Sequence, residues 1–131
     1  MIGENKQGKT IPDYLVDGEL TEVKSITEET NNPNTIKKLI QKANRQIRDS
    51  GLNPDPTMKD SRSIGAVEIQ LINKGSQSYQ NLTVLEKIIQ TQFHEHRSRS
   101  LHRVSIYREN NLILEFIRTP QNQIIRNFPK G

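Results

Sequence analysis

In the stretch IPDYLVDGELTEVKS, residues 11–25, two short apolar runs flank Asp17-Gly18. An Asp-Gly pair between two such runs is typical of a two-residue hairpin turn. With that turn, Tyr14 pairs with Thr21 and Asp13 pairs with Glu22. Directly opposite residues have Cβ atoms about 4.5–5.5 Å apart. The stretch therefore predicts a β-hairpin that brings two carboxylates face to face.

Alternation along the second strand decides which side chains share a face. It puts Leu20, Glu22 and Lys24 on the face of Asp13. Val23 lies on the opposite face, and we expect that face to pack against the core. The acidic face would then be open to solvent, with Lys24 exposed beside the acids.

Folding alone gives no reason for two opposed carboxylates, because they repel each other. A divalent cation between the two carboxylates replaces this repulsion by attraction, since hard cations take carboxylate oxygens, waters and substrate phosphates as ligands. Lys24, two residues beyond Glu22, could then assist an attacking water or stabilise negative charge on a phosphodiester. The alternative is that Asp13 and Glu22 are ordinary strand-end residues and Lys24 is their salt-bridge partner.

Length and composition indicate one domain, residues 1–131, with a flexible lead at 1–10 and a tail at 119–131. Hydrophobic residues make up 31% of the chain, so we expect a modest core. The absence of cysteine excludes disulfides, thiolate metal sites and a cysteine nucleophile. No apolar run approaches the roughly 20 residues of a membrane span, so we expect no membrane partner.

Apolar periodicity predicts two helices, one from Asn34 to Gly51 and one from Leu82 to about Arg97. Three further strands are predicted at 66–72, 102–108 and 112–118. The order is β-β-α-β-α-β-β. The fold class is therefore a mixed α/β (α+β) domain, in which two main helices flank a central sheet of about five strands.

The charge is unevenly distributed, with a net value of +4 and an excess of arginine toward the C-terminus. Such an asymmetry suits a polyanionic partner. We expect Lys42 and Arg45 on the first helix, and Arg97 and Arg99 after the second, to bind nucleic acid. Aromatic residues are scarce, which favours recognition of shape and phosphate over base stacking. A folded RNA such as tRNA fits that expectation.

Three motifs together resemble the PD-(D/E)XK nuclease superfamily: PD at 12–13, EVK at 22–24 and a helix bearing KANRQI at 42–47. The closest likeness is to the C-terminal toxin domains of contact-dependent growth inhibition and related polymorphic toxin systems, many of which are tRNA nucleases. The resemblance covers about residues 11–72. It implies a restriction-endonuclease-like core, a divalent metal ion held by Asp13 and Glu22, and catalysis by these acids with Lys24 and Gln46. The ion would be Mg²⁺ or Mn²⁺ in preference to Zn²⁺.

The function that follows is a metal-dependent endonuclease that hydrolyses RNA, with tRNA as the favoured substrate. The resemblance further implies that the domain acts in the cytoplasm after delivery as the C-terminal part of a secreted or cell-surface protein. An acidic immunity protein would neutralise it.

Three alternatives stay open. One is a DNase of the same superfamily, which would use the same metal chemistry. Another is a metal-independent RNase of the barnase or colicin type, because a polar lead stands before the Pro-Asp strand, where the superfamily usually has a helix and a strand. In that enzyme Lys24, a histidine and an arginine would do the acid–base work. The third is a non-catalytic nucleic-acid-binding module.

Overall fold

The predicted hairpin is present in the structure, a computed structural model that describes residues 14–16, 19–50 and 63–129. Strand β1 (Tyr14–Val16) and strand β2 (Glu19–Ile26) run antiparallel. Tyr14 lies opposite Thr21, which is the register expected from the Asp-Gly turn. The pairing that carries the argument about Asp13 and Glu22 is therefore confirmed as far as the described residues extend.

Two helices and four further strands complete the described residues. The helices are α1 (Pro33–Arg48) and α2 (Leu82–Gln92), and the strands are β3 (Gly65–Leu71), β4 (Leu101–Arg108), β5 (Asn111–Arg118) and β6 (Ile124–Asn127). A short 3₁₀ helix at Asn73–Gln77 precedes α2. Neither helix in this part of the chain has the length and apolar character needed to cross a bilayer.

The six strands form one sheet in chain order, from β1 to β6. The pairs β2–β3 and β3–β4 are parallel, whereas β1–β2, β4–β5 and β5–β6 are antiparallel. Helix α1 connects the first parallel pair, α2 connects the second, and the two helices contact each other on one face of the sheet. The predicted mixed α/β architecture is confirmed. One strand was not predicted: β6 lies within the segment expected to be a tail.

The core lies between the helices and the sheet. Helix α1 contributes a single stripe at a spacing of three and four residues: Ile36, Ile40, Ala43 and Ile47, all buried. Strand β3 contributes Val67, Ile69 and Leu71. Helix α2 contributes Leu85, Ile88 and Ile89.

The prediction that Val23 faces this core was wrong. Leu20 and Ile26 belong to the core, whereas Val23 is half-buried on the opposite face of β2. The alternation itself was correct, but each face of the strand carries apolar residues, so the pattern could not identify the face that the helices cover. As a consequence, Glu22 and Lys24 lie on the covered face, and Lys24 is not the exposed side chain that was expected.

Helix α2 also ends earlier than predicted, at Gln92 instead of near Arg97. Phe93 leaves the helical conformation, with φ −123° and ψ 93°. The carbonyl groups of His94, Arg97 and Ser98 are then bound by the side chain of Arg118, which packs from strand β5. Arg97 and Arg99 therefore lie in a loop between α2 and β4.

Gly65 allows close packing where α1 passes over the start of β3. A Cβ atom at this position would lie 2.4 Å from the Leu20 carbonyl oxygen and 2.6 Å from Ile47 Cδ1. Both distances are too short for a side chain. The glycine thus brings the C-terminal end of α1, which carries Gln46, against the beginning of β2.

Candidate active site

Glu22 and Lys24 lie two residues apart on β2 and face helix α1. The Glu22 side chain is 3% exposed and the Lys24 side chain is 14% exposed. Their neighbours on β3 are the buried residues Val67 and Ile69. Charges in such surroundings interact more strongly than they would in water, because the local dielectric is low.

The Lys24 ammonium group joins β2 to α1. It donates one hydrogen bond to Glu22 Oε1 at 3.1 Å and another to Gln46 Oε1 at 2.6 Å. The structure thus brings together three of the four predicted catalytic residues. The contact with Gln46 joins residues 22 positions apart in the chain, and it follows from the packing of α1 on β2.

A lysine ammonium carries three N–H donors. Within the described residues, Glu22 and Gln46 accept two of them. In that part of the chain the third donor has no acceptor, so it could bind a water molecule or a phosphate oxygen. Because the other two bonds fix the position of the nitrogen, this donor is oriented before a substrate binds.

The fourth predicted residue, Asp13, lies outside the described residues. Among residues 14–16, 19–50 and 63–129, no group of three or more His, Cys, Asp or Glu side chains is placed to hold a metal ion. The oxygens of Glu22 and Gln46 are of the type that Mg²⁺ and Mn²⁺ prefer. The donor set therefore fits a hard cation in kind, and a second carboxylate such as Asp13 would be needed.

The predicted substrate-binding residues of α1 flank Gln46 in sequence. Lys42 lies one helical turn before Gln46, and Arg45 immediately precedes it. Both side chains are exposed. They are therefore accessible to a polyanion that approaches the C-terminal end of α1.

The other two predicted binding residues, Arg97 and Arg99, are exposed in the loop between α2 and β4. Ser100 connects that loop to helix α1 and to the start of β3. Its backbone N–H donates to Asn44 Oδ1 at 2.9 Å, and its carbonyl accepts from the Gly65 N–H at 2.8 Å. Asn44 is two residues before Gln46 in helix α1, so this basic loop and the lysine site, formed by Glu22, Lys24 and Gln46, share a structural support.

Sequence reasoning assigned no role to Arg118. Strand alternation contained the signal, because Arg118 shares its face with Leu114 and Phe116, which are fully buried. A charged residue that continues a buried apolar face needs internal partners. The pattern could therefore have marked Arg118 as buried, although it could not have named the groups that surround it.

A second group of charged residues lies on the sheet face opposite the helices. Glu68, Ser105 and Glu115 are neighbours on β3, β4 and β5. The Arg103 guanidinium is 3.5 Å from Glu68 Oε2 and 3.8 Å from Glu115 Oε2, and it also contacts Ser105 Oγ. Here an arginine is flanked by two carboxylates, so its charge is engaged in ion pairs within the group.

Comparison with known proteins gives one result. The family model described as the contact-dependent growth inhibition CdiA C-terminal domain matches residues 9–113, which is more than half of the chain. Searches of curated proteins and of solved structures gave no significant match. The assignment to the PD-(D/E)XK superfamily therefore stays a prediction. The matched range includes the hairpin, the lysine site and the basic loop, and the chain belongs to the family of CdiA C-terminal domains, the toxin domains of contact-dependent growth inhibition.

Proposed function

We propose that this domain is a metal-dependent endonuclease that hydrolyses RNA, with tRNA as the favoured substrate and Glu22, Lys24 and Gln46 in its catalytic centre. The observation that carries the proposal is the Lys24 ammonium group, which is held between the Glu22 carboxylate and the Gln46 amide with one donor unused in the described residues. Membership of a toxin family supports a destructive enzymatic activity.

The roles of the residues follow from their chemistry. The unused Lys24 donor would bind the attacking water or a non-bridging phosphate oxygen, where negative charge increases during hydrolysis. Gln46 holds the ammonium in place without adding charge. Glu22 and Asp13 would hold a divalent ion, which supplies further stabilisation of charge on the phosphoryl group.

The substrate preference depends on the basic surface near the site. Lys42, Arg45, Arg97 and Arg99 are exposed, and none of them has a salt-bridge partner in the described part of the chain. Such residues contact phosphates regardless of sequence. The scarcity of aromatic residues favours a structured RNA over an unpaired strand that stacks on the protein.

The test is a cleavage assay with tRNA, an unstructured RNA and duplex DNA, each with Mg²⁺, with Mn²⁺ and with EDTA. We expect cleavage of tRNA that requires the metal. Lys24→Ala should abolish it, whereas Lys38→Ala, which removes an exposed lysine of α1, should not. Preferential cleavage of duplex DNA would point to the DNase alternative, and the absence of any cleavage would favour the binding module.

The charged group around Arg103 is a second candidate centre for a metal-independent RNase, besides the one expected from Lys24 with a histidine and an arginine. A carboxylate there could accept a proton, and a guanidinium could bind phosphate. If cleavage persists in EDTA, survives Lys24→Ala and is lost in Glu115→Gln, the catalytic centre lies on that face. Loss in Lys24→Ala with full activity in Glu115→Gln places it beside α1.

We also propose an acidic immunity protein as the physiological inhibitor. The net charge of +4 and the exposed basic residues around the site provide a complementary surface. If the inhibitor covers this surface, its binding should weaken as salt concentration rises and should compete with tRNA. Binding that leaves tRNA cleavage unchanged would place the inhibitor elsewhere.

A further inference from the structure

All five N–H donors of the Arg118 guanidinium are used. Nε donates to the Leu101 carbonyl at 3.1 Å. Nη1 donates to the His94 carbonyl at 2.8 Å and to Asn122 Oδ1 at 2.9 Å. Nη2 donates to the carbonyls of Arg97 and Ser98 at 3.0 and 3.2 Å. No other side chain could satisfy this set, since a lysine has three donors and a glutamine two.

Among the described residues, no acid neutralises the charge of Arg118. Its five hydrogen-bond acceptors in the described residues are neutral, and the side chain is only 8% exposed. Its guanidinium carbon also lies 4.6 Å from the centre of the Phe93 ring. Burying a cation without a carboxylate partner costs free energy. Folding alone therefore does not explain why an arginine occupies this position.

Arg99 adds a second positive charge close enough to act on the first. Burial, and then the charge of Arg99, lower the pKa of Arg118 to about 10. The group is still charged at neutral pH. Repulsion between the two guanidinium groups would be relieved by an anion bound over the loop, which gives the loop an electrostatic preference for phosphate.

The conformation of the loop directs its carbonyls inward and leaves its basic side chains outside. The carbonyls of residues 94, 97, 98 and 101 all meet at Arg118, whereas Arg97 and Arg99 are exposed. Ser98 has a φ of 57°, a conformation that this arrangement must maintain against its intrinsic cost. Asn122, which follows strand β5, also holds the loop, because its side-chain amide donates to the Glu95 carbonyl at 3.2 Å.

We propose that Arg118 is a positioning residue that holds residues 94–101 as a preformed phosphate-binding loop, so that Arg97 and Arg99 contact the RNA backbone at the end of α1 that carries Gln46. The inference rests on the proposed function, because it assumes an RNA substrate. Preformation lowers the entropic cost of binding, since the loop does not have to order around the phosphates.

Arg108 is a matched control at the other end of β4. It is also partly buried, and its Nη2 donates to the carbonyls of Ser78 and Tyr79 at 2.7 and 3.1 Å. Eight residues of strand correspond to roughly 23–26 Å. Arg108→Gln should therefore loosen a loop in a comparable way, but at the end of β4 opposite to residues 94–101.

The test measures tRNA binding in EDTA, which prevents metal-dependent cutting, over a range of salt concentrations. Removing both loop arginines (R97A/R99A) should weaken binding and lower the slope of log K against log salt by about 1.5. Arg118→Gln should give the same change although both arginines are still present. Arg108→Gln should bind as the wild type does.

Combining the substitutions separates positioning from a direct contact. If Arg118 acts through the loop, R97A/R99A/R118Q should bind within about twofold of R97A/R99A, because the effects are not additive. Additive effects, or wild-type binding by Arg118→Gln, would overturn the proposal. If Arg118→Gln does not fold, as judged by circular dichroism, Asn122→Ala replaces it and should show the same change at smaller size, with wild-type binding again overturning the proposal. A wild-type protein that binds no RNA would instead defeat the proposed function.

Discussion

Lys24, which is partly buried, and Arg118, which is buried, are two cations with opposite surroundings. Lys24 has a carboxylate partner and, in the described residues, one donor without an acceptor. Arg118 has no carboxylate partner there, and all its donors are used by neutral oxygens. In this part of the chain, the charge of Lys24 is therefore paired with a carboxylate, and one of its N–H donors is unused. The charge of Arg118 is not paired with a carboxylate there, and all its N–H donors are used.

The difference distinguishes a residue suited to act on a substrate from a residue suited to hold a loop. A group that acts on a substrate needs a free donor in a fixed place, and within the described residues one donor of Lys24 has no acceptor. A group that shapes a loop needs every donor engaged, and Arg118 meets that condition.

The largest effect is expected for Lys24→Ala. Loss of a single oriented donor from a transition state costs about 10²–10³ in rate, and we expect the upper end of that range because the ammonium is charged. The Glu22 carboxylate would also lose its cation, so the free energy of unfolding should fall by about 2 kcal/mol. Rates of tRNA cleavage and thermal unfolding measure the two effects.

Lys24→Met is the companion variant, because it keeps the aliphatic stem in place and removes only the ammonium. It should be as inactive as Lys24→Ala. If either variant cleaves at the wild-type rate while folded, Lys24 has no part in the mechanism.

The second effect concerns the acids and the metal. Glu22→Gln and Asp13→Asn should each lower the rate of cleavage about a hundredfold, and raising the Mn²⁺ concentration should restore part of the loss, since a weakened site fills again at higher metal concentration. Calorimetric titration of the wild type with Mn²⁺ should detect binding that Glu22→Gln reduces. Identical Mn²⁺ titrations for the two proteins would contradict metal binding by Glu22.

The third effect tests how Lys24 is held. Gln46→Ala removes one of its two acceptors and should lower kcat about 10–100-fold with little change in KM, as expected for a residue that orients a catalytic group. Gln41→Ala is the control. It also removes an α1 glutamine whose amide bonds another element, here Gln92 of α2 at 3.0 Å, but it lies more than a turn from Gln46. A large rise in KM for Gln46→Ala would instead indicate a direct contact with substrate.

The sequence predicts the strand order and the hairpin register well because both depend on local signals. The Asp-Gly turn fixes which residues of β1 and β2 are opposite, and the structure agrees. The lysine site was also predictable, since Glu22 and Lys24 share a face by alternation alone. Their contact with Gln46 depends on how α1 packs on β2, which residue spacing does not predict. Gln46 was named as a site residue because of the resemblance to the nuclease superfamily.

The errors all concern interactions between elements, which the local pattern of one element does not show. The covered face of β2 depends on where α1 lies, and the apolar pattern of β2 does not record it. The end of α2 depends on Arg118, which takes the carbonyls of a loop about 20 residues earlier. Strand β6 depends on a free edge of β5, because four residues with two isoleucines are too short to predict a strand by themselves.

The smallest effect is expected for the exposed cations of α1. Lys42→Ala and Arg45→Ala remove charges beside Gln46 and should each weaken tRNA binding about two- to fivefold at low salt, with no change in kcat. Lys38 lies eight residues before Gln46, about 12 Å along the helix axis, so Lys38→Ala should have less effect than either. In 0.5 M salt, where the screening length is only a few ångströms, the differences among the three variants should disappear. If Lys38→Ala weakens binding as much as Lys42→Ala does, the RNA covers the whole helix, and the lysine site is not at the centre of the interface.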